Sequence, residues 1–318
     1  MRVFVAGAAG VVGQQLLPLL VAHGHQVTAA TRSPAKAGRL RELGAEPAVV
    51  DGLDAMAVGE AVARAEPDAV IHQMTSLAGD ADLRHFDRMF AVTNQLRTQG
   101  TDHLLAAAAA AGARRFIAQS YTGWPNIRDG GPVKTEDDPL DPNPPAAQRE
   151  SLAAIKHVER VVPAAAPMQG IVLRYGSFYG PGASDAFVDL VRKRRLPIIG
   201  DGAGVWSFLH IHDAATATVA ALEQGRPGVY NVVDDEPARV VEWLPFLAQA
   251  VGAKPPRRLP VWLGRLAAGE AAVSAMTQIR GSSNARAKRE LGWQPVWPSW
   301  RQGFSHGLAS AEPARGAA

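Results

Sequence analysis

The stretch Arg2-Val3-Phe4-Val5-Ala6-Gly7-Ala8-Ala9-Gly10-Val11-Val12-Gly13 decides the fold. A short apolar strand runs straight into three glycines, and an apolar helical run over 14–23 follows until Gly24 ends it. A chain that turns this sharply from strand to helix needs residues without a Cβ. They allow the tight turn, the approach of backbone to a bound group, and close packing of helix on strand. The free amides and dipole of the helix N-terminus then favour an anionic group such as a pyrophosphate. The spacing is Gly-x-x-Gly-x-x-Gly, and three glycines alone fit any tight turn. Their position at the start of a strand–helix–strand unit predicts a dinucleotide site formed by Gly7, Ala9, Gly10, Val11, Val12 and Gly13.

Outward from that loop, strand patterns recur over 25–30, 48–50, 69–72, 115–118, 170–174 and 229–232, with helical composition between them, as over 102–111. Apolar strands separated by helices predict a parallel sheet covered on both faces. The expected fold is therefore α/β, a Rossmann-type doubly wound parallel sheet with a smaller, mainly helical C-terminal substrate region. The expected division assigns 1–176, completed by about 205–234, to the nucleotide-binding domain. Residues 177–204 and 235–309 form the substrate region, and 310–318 a flexible tail. Residues 122–146, rich in Pro, Gly and Asp, are too long for an ordinary connection and read as a lid or substrate loop.

The end of the second strand is where an acidic residue would hold a ribose 2′-hydroxyl. Here stand Thr31, Arg32 and Ser33, with Lys36 close behind. A guanidinium suits a 2′-phosphate through paired N–H donors, so NADP(H) is favoured over NAD(H). Asp51 and Gly52, after the third strand, are placed beside the adenine.

Composition narrows the function classes. Of 318 residues 47% are hydrophobic and 20% charged, a folded rather than a disordered balance. Zero cysteines exclude a catalytic thiol, disulfides and thiolate metal sites. The 33 basic and 30 acidic residues leave a net charge of +3, and apart from 192–195 the basic residues are scattered. That predicts no nucleic-acid partner. The alanine-rich run 104–111 is too short to cross a bilayer and no basic leader precedes the first strand, so a cytoplasmic chain without a membrane partner is expected. His210, His212 and Asp213 have metal-like letters but no convincing further ligand, so no metal is assigned. A small-molecule substrate and a monomer or homodimer complete the expectation.

These features resemble the extended or atypical short-chain dehydrogenase/reductases, the NAD-dependent epimerase/dehydratase group. The resemblance covers nearly the whole chain. It runs through the glycine loop, Asp51, the strand Val70-Ile71-His72 with Gln73 following, Asn94, and Phe116-Ile117-Ala118-Gln119-Ser120. Its most specific pieces are Leu173-Arg174-Tyr175-Gly176-Ser177-Phe178-Tyr179-Gly180-Pro181-Gly182 and Phe208-Leu209-His210-Ile211-His212-Asp213-Ala214-Ala215. Tyr230-Asn231-Val232 and Glu290-Leu291-Gly292-Trp293 complete it. The resemblance places Gln73 among the cofactor-binding residues.

In that family a Tyr-x-x-x-Lys pair on one helix face and a preceding Ser or Thr carry the chemistry. The tyrosine acts as acid or base, and the lysine lowers its pKa and holds the nicotinamide ribose. The equivalent helix here reads Ser151-Leu152-Ala153-Ala154-Ile155-Lys156-His157-Val158-Glu159. If Lys156 is the family lysine, Leu152 stands at the tyrosine position; if Glu159 fixes the register, the pair is Ser151 and Ile155. The tyrosine is missing in both. The hydroxyl position falls on Ser120 or on Tyr121. The expected catalytic set is therefore Ser120 and Tyr121 on the carbonyl, with Lys156 on the ribose.

The resemblance implies an NADP(H)-dependent ketoreductase acting on a bulky hydrophobic substrate, aromatic polyketides of antibiotic biosynthesis included. Two alternatives stand beside it. One is a nucleotide-sugar epimerase or dehydratase whose diphosphate is read by Arg192–Arg195; the other is a non-catalytic NADP(H)-binding sensor or partner-binding protein. Trp124, with Tyr121, is the candidate for stacking on a flat substrate, most of the other tryptophans are expected in the core of the small domain, and Glu136, Asp137 and Asp138 read as a solvated run.

Overall fold

A computed structural model describes residues 1–77 and 83–308; the tail over 310–318 lies outside the described residues. Seven strands form one sheet: β1 (Arg2–Ala6), β2 (Gln26–Thr31), β3 (Glu46–Val49), β4 (Ala69–His72), β5 (Arg115–Tyr121), β6 (Gln169–Tyr175) and β7 (Gly228–Val232). Their order is β7-β6-β5-β4-β1-β2-β3, and every neighbouring pair is parallel. This is the doubly wound α/β arrangement the alternation of strand and helix predicts. The chain leaves β1 toward β2 on one side and β4 lies on the other. A crevice therefore opens at the carboxyl ends of β1 and β4, where ligands of such sheets bind.

The strands are apolar on both faces because both faces are covered. In β1, Val3 and Val5 enter one core while Phe4 and Ala6 enter another. The first core lies under α1 (Val11–Ala22) and α5 (Ile211–Gln224), and Leu16, Leu17 and Leu20 of α1 are fully buried in it. The second lies under α2 (Ala55–Ala65), α3 (Thr101–Ala110) and α4 (Arg149–Val161). Helix α2 starts where the Asp54 carboxylate accepts from the Met56 and Ala57 amides, satisfying donors the first turn leaves free.

A third core is built from C-terminal segments. It gathers Tyr179, Phe208, Trp243 of α6 (Val240–Ala250), Val273 and Met276 of α7 (Val261–Thr277), and Trp300 and Phe304 of α8 (Trp300–His306). Trp206 and Trp297 pack against this core, and two tryptophans of the C-terminal half lie elsewhere. Trp293 packs in the first core, and Trp262 is 67% exposed.

Residues 122–146 are strapped down rather than free. Val133–Lys134 pairs in parallel with Gly281–Ser282, and the Asn126 amide donates to the Arg280 carbonyl and to the Ser282 hydroxyl. Glu136 corrects the reading of a solvated acidic run: its side chain is 3% exposed and accepts the Asn231 amide. Asp137 alone of the three stays strongly exposed, paired with Arg286.

Candidate functional site

The glycine turn is required by what it touches. Gly7 has φ +83°, and a Cβ there would lie 2.6 Å from the Gln73 carbonyl carbon, so only glycine lets the turn pass the end of β4. A Cβ on Gly13 would overlap the Ala8 carbonyl, which keeps α1 tight against the turn. Gly10 is the N-cap of α1 and offers no side-chain cap. The first amides of α1 therefore have no side-chain acceptor, which suits an anion.

In front of this turn lies a cleft of about 200 Å³, lined by Gly7, Ala9, Gly10, Thr31, Arg32, Lys36, Asp51, Gly52 and Gln73, among others. Val11, Val12 and Gly13 form the first turn of α1 behind it. Arg32 and Lys36 are exposed and neither side chain has a hydrogen-bond or ion-pair partner among the described residues. Thr31 accepts the Ser33 amide at 3.2 Å, and Asp51 accepts the Leu53 amide at 3.0 Å. The donor set, glycine turn, uncapped helix start and two unpaired cations beyond β2, fits a dinucleotide.

The floor beyond the cleft departs from expectation. Ser120 is 4% exposed and donates to Glu159 Oε1 at 2.8 Å. Arg174 holds the same carboxylate through Nε and Nη2 at 2.8 and 2.6 Å. Ser120 is thus a member of a buried ion-pair network and its proton is already committed. This corrects its assignment to a substrate carbonyl, because alternation along β5 turns it under the sheet beside Phe116 and Ala118.

Lys156 is also corrected. It lies on the exposed face of α4 and donates to the Asp141 carbonyl at 3.2 Å. The inner positions are Ser151 and Ile155, both buried, with Glu159 one turn on. The register is therefore the one that Glu159 fixes. Ser151 donates to Asp87 at 2.6 Å and accepts the Asn94 amide at 3.0 Å. The inner face of α4 offers neither a phenol nor an ammonium group.

Tyr121 ends β5 with its hydroxyl 2.9 Å from the Ser177 hydroxyl. Burial pushes its pKa above the ordinary tyrosine value, so it stays neutral. Its ring stacks toward Trp124 at 6.5 Å between centroids; Trp124 meets Phe86 edge-on at 5.1 Å, and Phe86 stacks on Phe90 at 4.5 Å. This is an aromatic wall at the carboxyl end of β5. Ser177 also lines an apolar cavity of about 120 Å³ with Phe178, Phe187, Trp206 and Phe208.

The sequence did not mark Arg97. It lies in a π-helical turn, Leu96–Gly100, between the short helix Ala91–Gln95 and α3. Arg97 is 8% exposed, and among the described residues it has neither a hydrogen-bond nor an ion-pair partner. The wide turn sets the Leu96 carbonyl to accept His72 Nε2 at 3.2 Å, while His72 Nδ1 accepts the Met74 amide. Burial holds His72 neutral, with a pKa of about 4. Arginine in a helix ordinarily reads as a solvated residue; here it is buried within a π turn, together with Leu96 and Gly100.

His210 caps α5 through Nδ1 and meets the Gly307 carbonyl through Nε2, and Asp213 accepts the Val296 and Trp297 amides. Among the described residues no group of three His, Cys, Asp or Glu side chains is placed to hold a metal, and no helix is long and apolar enough to cross a membrane. Lys193 is paired with Asp189 and Arg194 donates to the Pro255 carbonyl; none of 192–195 lines the cleft.

Comparison with known proteins adds to this geometry. The model of the NAD dependent epimerase/dehydratase family matches residues 3–233. The chain is 44% identical over 309 residues to the 3-diazoavenalumate denitrifying reductase of a Streptomyces species, covering 96% of this chain and 99% of that one. It is 31% identical over 268 residues to the 2-alkyl-3-oxoalkanoate reductase of Stenotrophomonas maltophilia, covering 80% and 76%. In structure it resembles UDP-glucose 4-epimerase from Thermotoga maritima, with a TM-score of 0.75, 22% identity and 97% of each chain covered.

Proposed function

Because the chain belongs to the NAD dependent epimerase/dehydratase family and is an NAD(P)-dependent oxidoreductase, we propose that it removes a diazo group from an aromatic substrate by reduction, with NADP(H) as cofactor. The observation that carries this reading is the inner face of α4. The two positions from which the family draws its acid and its lysine hold Ser151 and Ile155, and Ser151 is tied to Asp87. A ketone that accepts a hydride becomes an alkoxide and must also take a proton. An arenediazonium that accepts a hydride becomes the arene and dinitrogen, and no proton is consumed. A site without a dedicated acid is matched to the second balance. The 44% identity to a diazo-reducing relative across almost its full length points the same way.

When bound, the reduced nicotinamide supplies the hydride. The residues present do the rest. Gly7, Gly10 and the start of α1 take the pyrophosphate, Arg32 and Lys36 take a 2′-phosphate, and Asp51 and Gly52 lie at the adenine. Tyr121 and Trp124, with ring planes 28° apart, offer an apolar surface to the substrate ring, and Phe86 and Phe90 back Trp124; such a surface also excludes water from the reacting atoms.

A second reading is reduction of a ketone on a bulky hydrophobic substrate, with Tyr121 as the proton donor and Ser177 beside it. It rests on the 2.9 Å contact between those hydroxyls and on the identity to an oxoalkanoate reductase. One anaerobic assay separates the two. The enzyme and NADPH are given diazotised 4-aminocinnamate or an aromatic ketone, and NADPH loss and dinitrogen release are followed against an enzyme-free control. The diazo reading expects one dinitrogen per NADPH, well above the enzyme-free rate. Dinitrogen at the enzyme-free rate, with the ketone consumed, overturns it.

A further inference from the structure

We propose that Arg97 is the receptor for a carboxylate on the aromatic substrate. A guanidinium taken out of water is ordinarily paired with a carboxylate or bonded through most of its five N–H groups. Arg97 has neither, and its Nε is fully enclosed without an acceptor. The groups whose fields it feels are His72, Tyr121 and Glu159. None of them is free to neutralise it. His72 is a neutral imidazole bonded at both nitrogens. Tyr121 is a neutral phenol bonded to Ser177. Glu159 is already held by both arms of Arg174 and by Ser120. Arg174 has Glu159 as its partner and also lies in the field of the buried Glu136, so Arg97 is the cation of this cluster left without a carboxylate of its own. An anion from outside the described chain would complete it.

Its position says what that group is attached to. The π turn that carries Arg97 is bonded to the end of β4, where the Leu96 carbonyl meets His72 Nε2 at 3.2 Å, and this is the carboxyl edge where the sheet's crevice opens. Tyr121 belongs to the aromatic wall of Trp124, Phe86 and Phe90. Arg97 is apart from the residues that line the glycine-turn cleft, which is why the anion is assigned to the substrate and not to the dinucleotide. The planar fork of a guanidinium matches the two oxygens of a carboxylate, and a low-dielectric surrounding strengthens such a pair. The side chain is buried within the π turn. The assignment rests on reading the site as one for flat aromatic substrates. It adds that those substrates are acids.

The test measures binding, so it does not depend on which group is reduced. The full chain saturated with NADP⁺ is titrated calorimetrically with cinnamate and with methyl cinnamate, which have the same ring and differ in charge. Wild type is expected to bind cinnamate at least tenfold more tightly than the ester. Arg97→Gln is expected to bring the two within twofold without lowering the melting temperature, since the unpaired cation is gone. Arg97→Lys keeps the charge, loses the fork, and is expected to retain an intermediate preference. Equal binding of the two probes by wild type, no binding of cinnamate, or an undiminished preference in Arg97→Gln overturns the proposal. Should Arg97→Gln fail to fold, an undiminished preference in Arg97→Lys overturns the bidentate fit and a reduced one supports it. A protein that prefers cinnamate yet releases no dinitrogen would retain this receptor and lose the diazo reading.

Discussion

Replacing Arg32 by Ala tests the cofactor assignment at its most exposed point. Arg32 stands just beyond β2, lines the cleft, and has no carboxylate engaging it among the described residues. Its free guanidinium is available to a 2′-phosphate and has no comparable partner on a 2′-hydroxyl. Hydrogen bonds to a charged group contribute about 1.5–3 kcal/mol when shielded, and exposure with salt screening brings that to about 1–2 kcal/mol here. At about 1.4 kcal/mol per tenfold, the Kd for NADP⁺ should rise roughly 5- to 30-fold while that for NAD⁺ changes less than about twofold. Lys36→Ala should add a smaller increment as a point charge without the planar fork. The assay is calorimetric titration of both nucleotides at two ionic strengths, because an exposed phosphate contact weakens as the Debye length shrinks from about 10 Å at 0.1 M salt. An NADP⁺ to NAD⁺ ratio that stays within twofold of wild type, or one insensitive to salt, would refute the reasoning.

Further outcomes follow from the same geometry. Tyr121→Phe should change diazo reduction by no more than about threefold, since no proton is required, whereas a general acid would cost about 10²–10⁴ in ketone turnover. Steady-state kcat on both substrates decides it. Lys156→Ala should leave kcat/KM within about twofold, because the ammonium lies on the outer face of α4; a loss of about a hundredfold would restore it to the site. Glu159→Ala should destabilise the fold by about 3–5 kcal/mol in urea, because it strands Arg174, and a change below about 1 kcal/mol would contradict the network described. His72 sets the acid limb of stability. Its folded pKa of about 4 lies below the ordinary 6.5, so the unfolded chain takes up the proton first. Its contribution, about 3 kcal/mol at about 1.4 kcal/mol per pH unit, is full above pH 6.5 and lost as pH falls toward 4. Urea midpoints of wild type and His72→Gln between pH 7 and 4.5 should diverge in slope, and parallel profiles would exclude it.

Local order carried much of this protein. A five-residue strand, three glycines and an uncapped helix are neighbours in sequence. Their turn geometry was therefore legible from residue types, and so was the parallel sheet, whose strands must be apolar on both faces. Arg32 could be proposed for the same reason, since the end of β2 is a fixed distance along the chain from the turn. The catalytic floor was not. Whether Lys156 or Ile155 faces inward is a matter of 100° of helix rotation, set by how α4 packs on the second core through Val158 and by the bonds from Glu159 to Ser120 and Arg174. Ser120 and Tyr121 look alike as candidates until strand alternation meets a partner helix and sends one under the sheet and the other to the mouth. Arg97 depends on one π turn and on groups from β4, β5 and α4 that lie 25, 24 and 62 positions away. Sequence alone pointed to the proposed dinucleotide site, because the glycine turn at its centre is contiguous backbone. Which charges are buried and which of them are paired was decided only by tertiary structure, because burial and pairing are properties of segments brought together from across the chain.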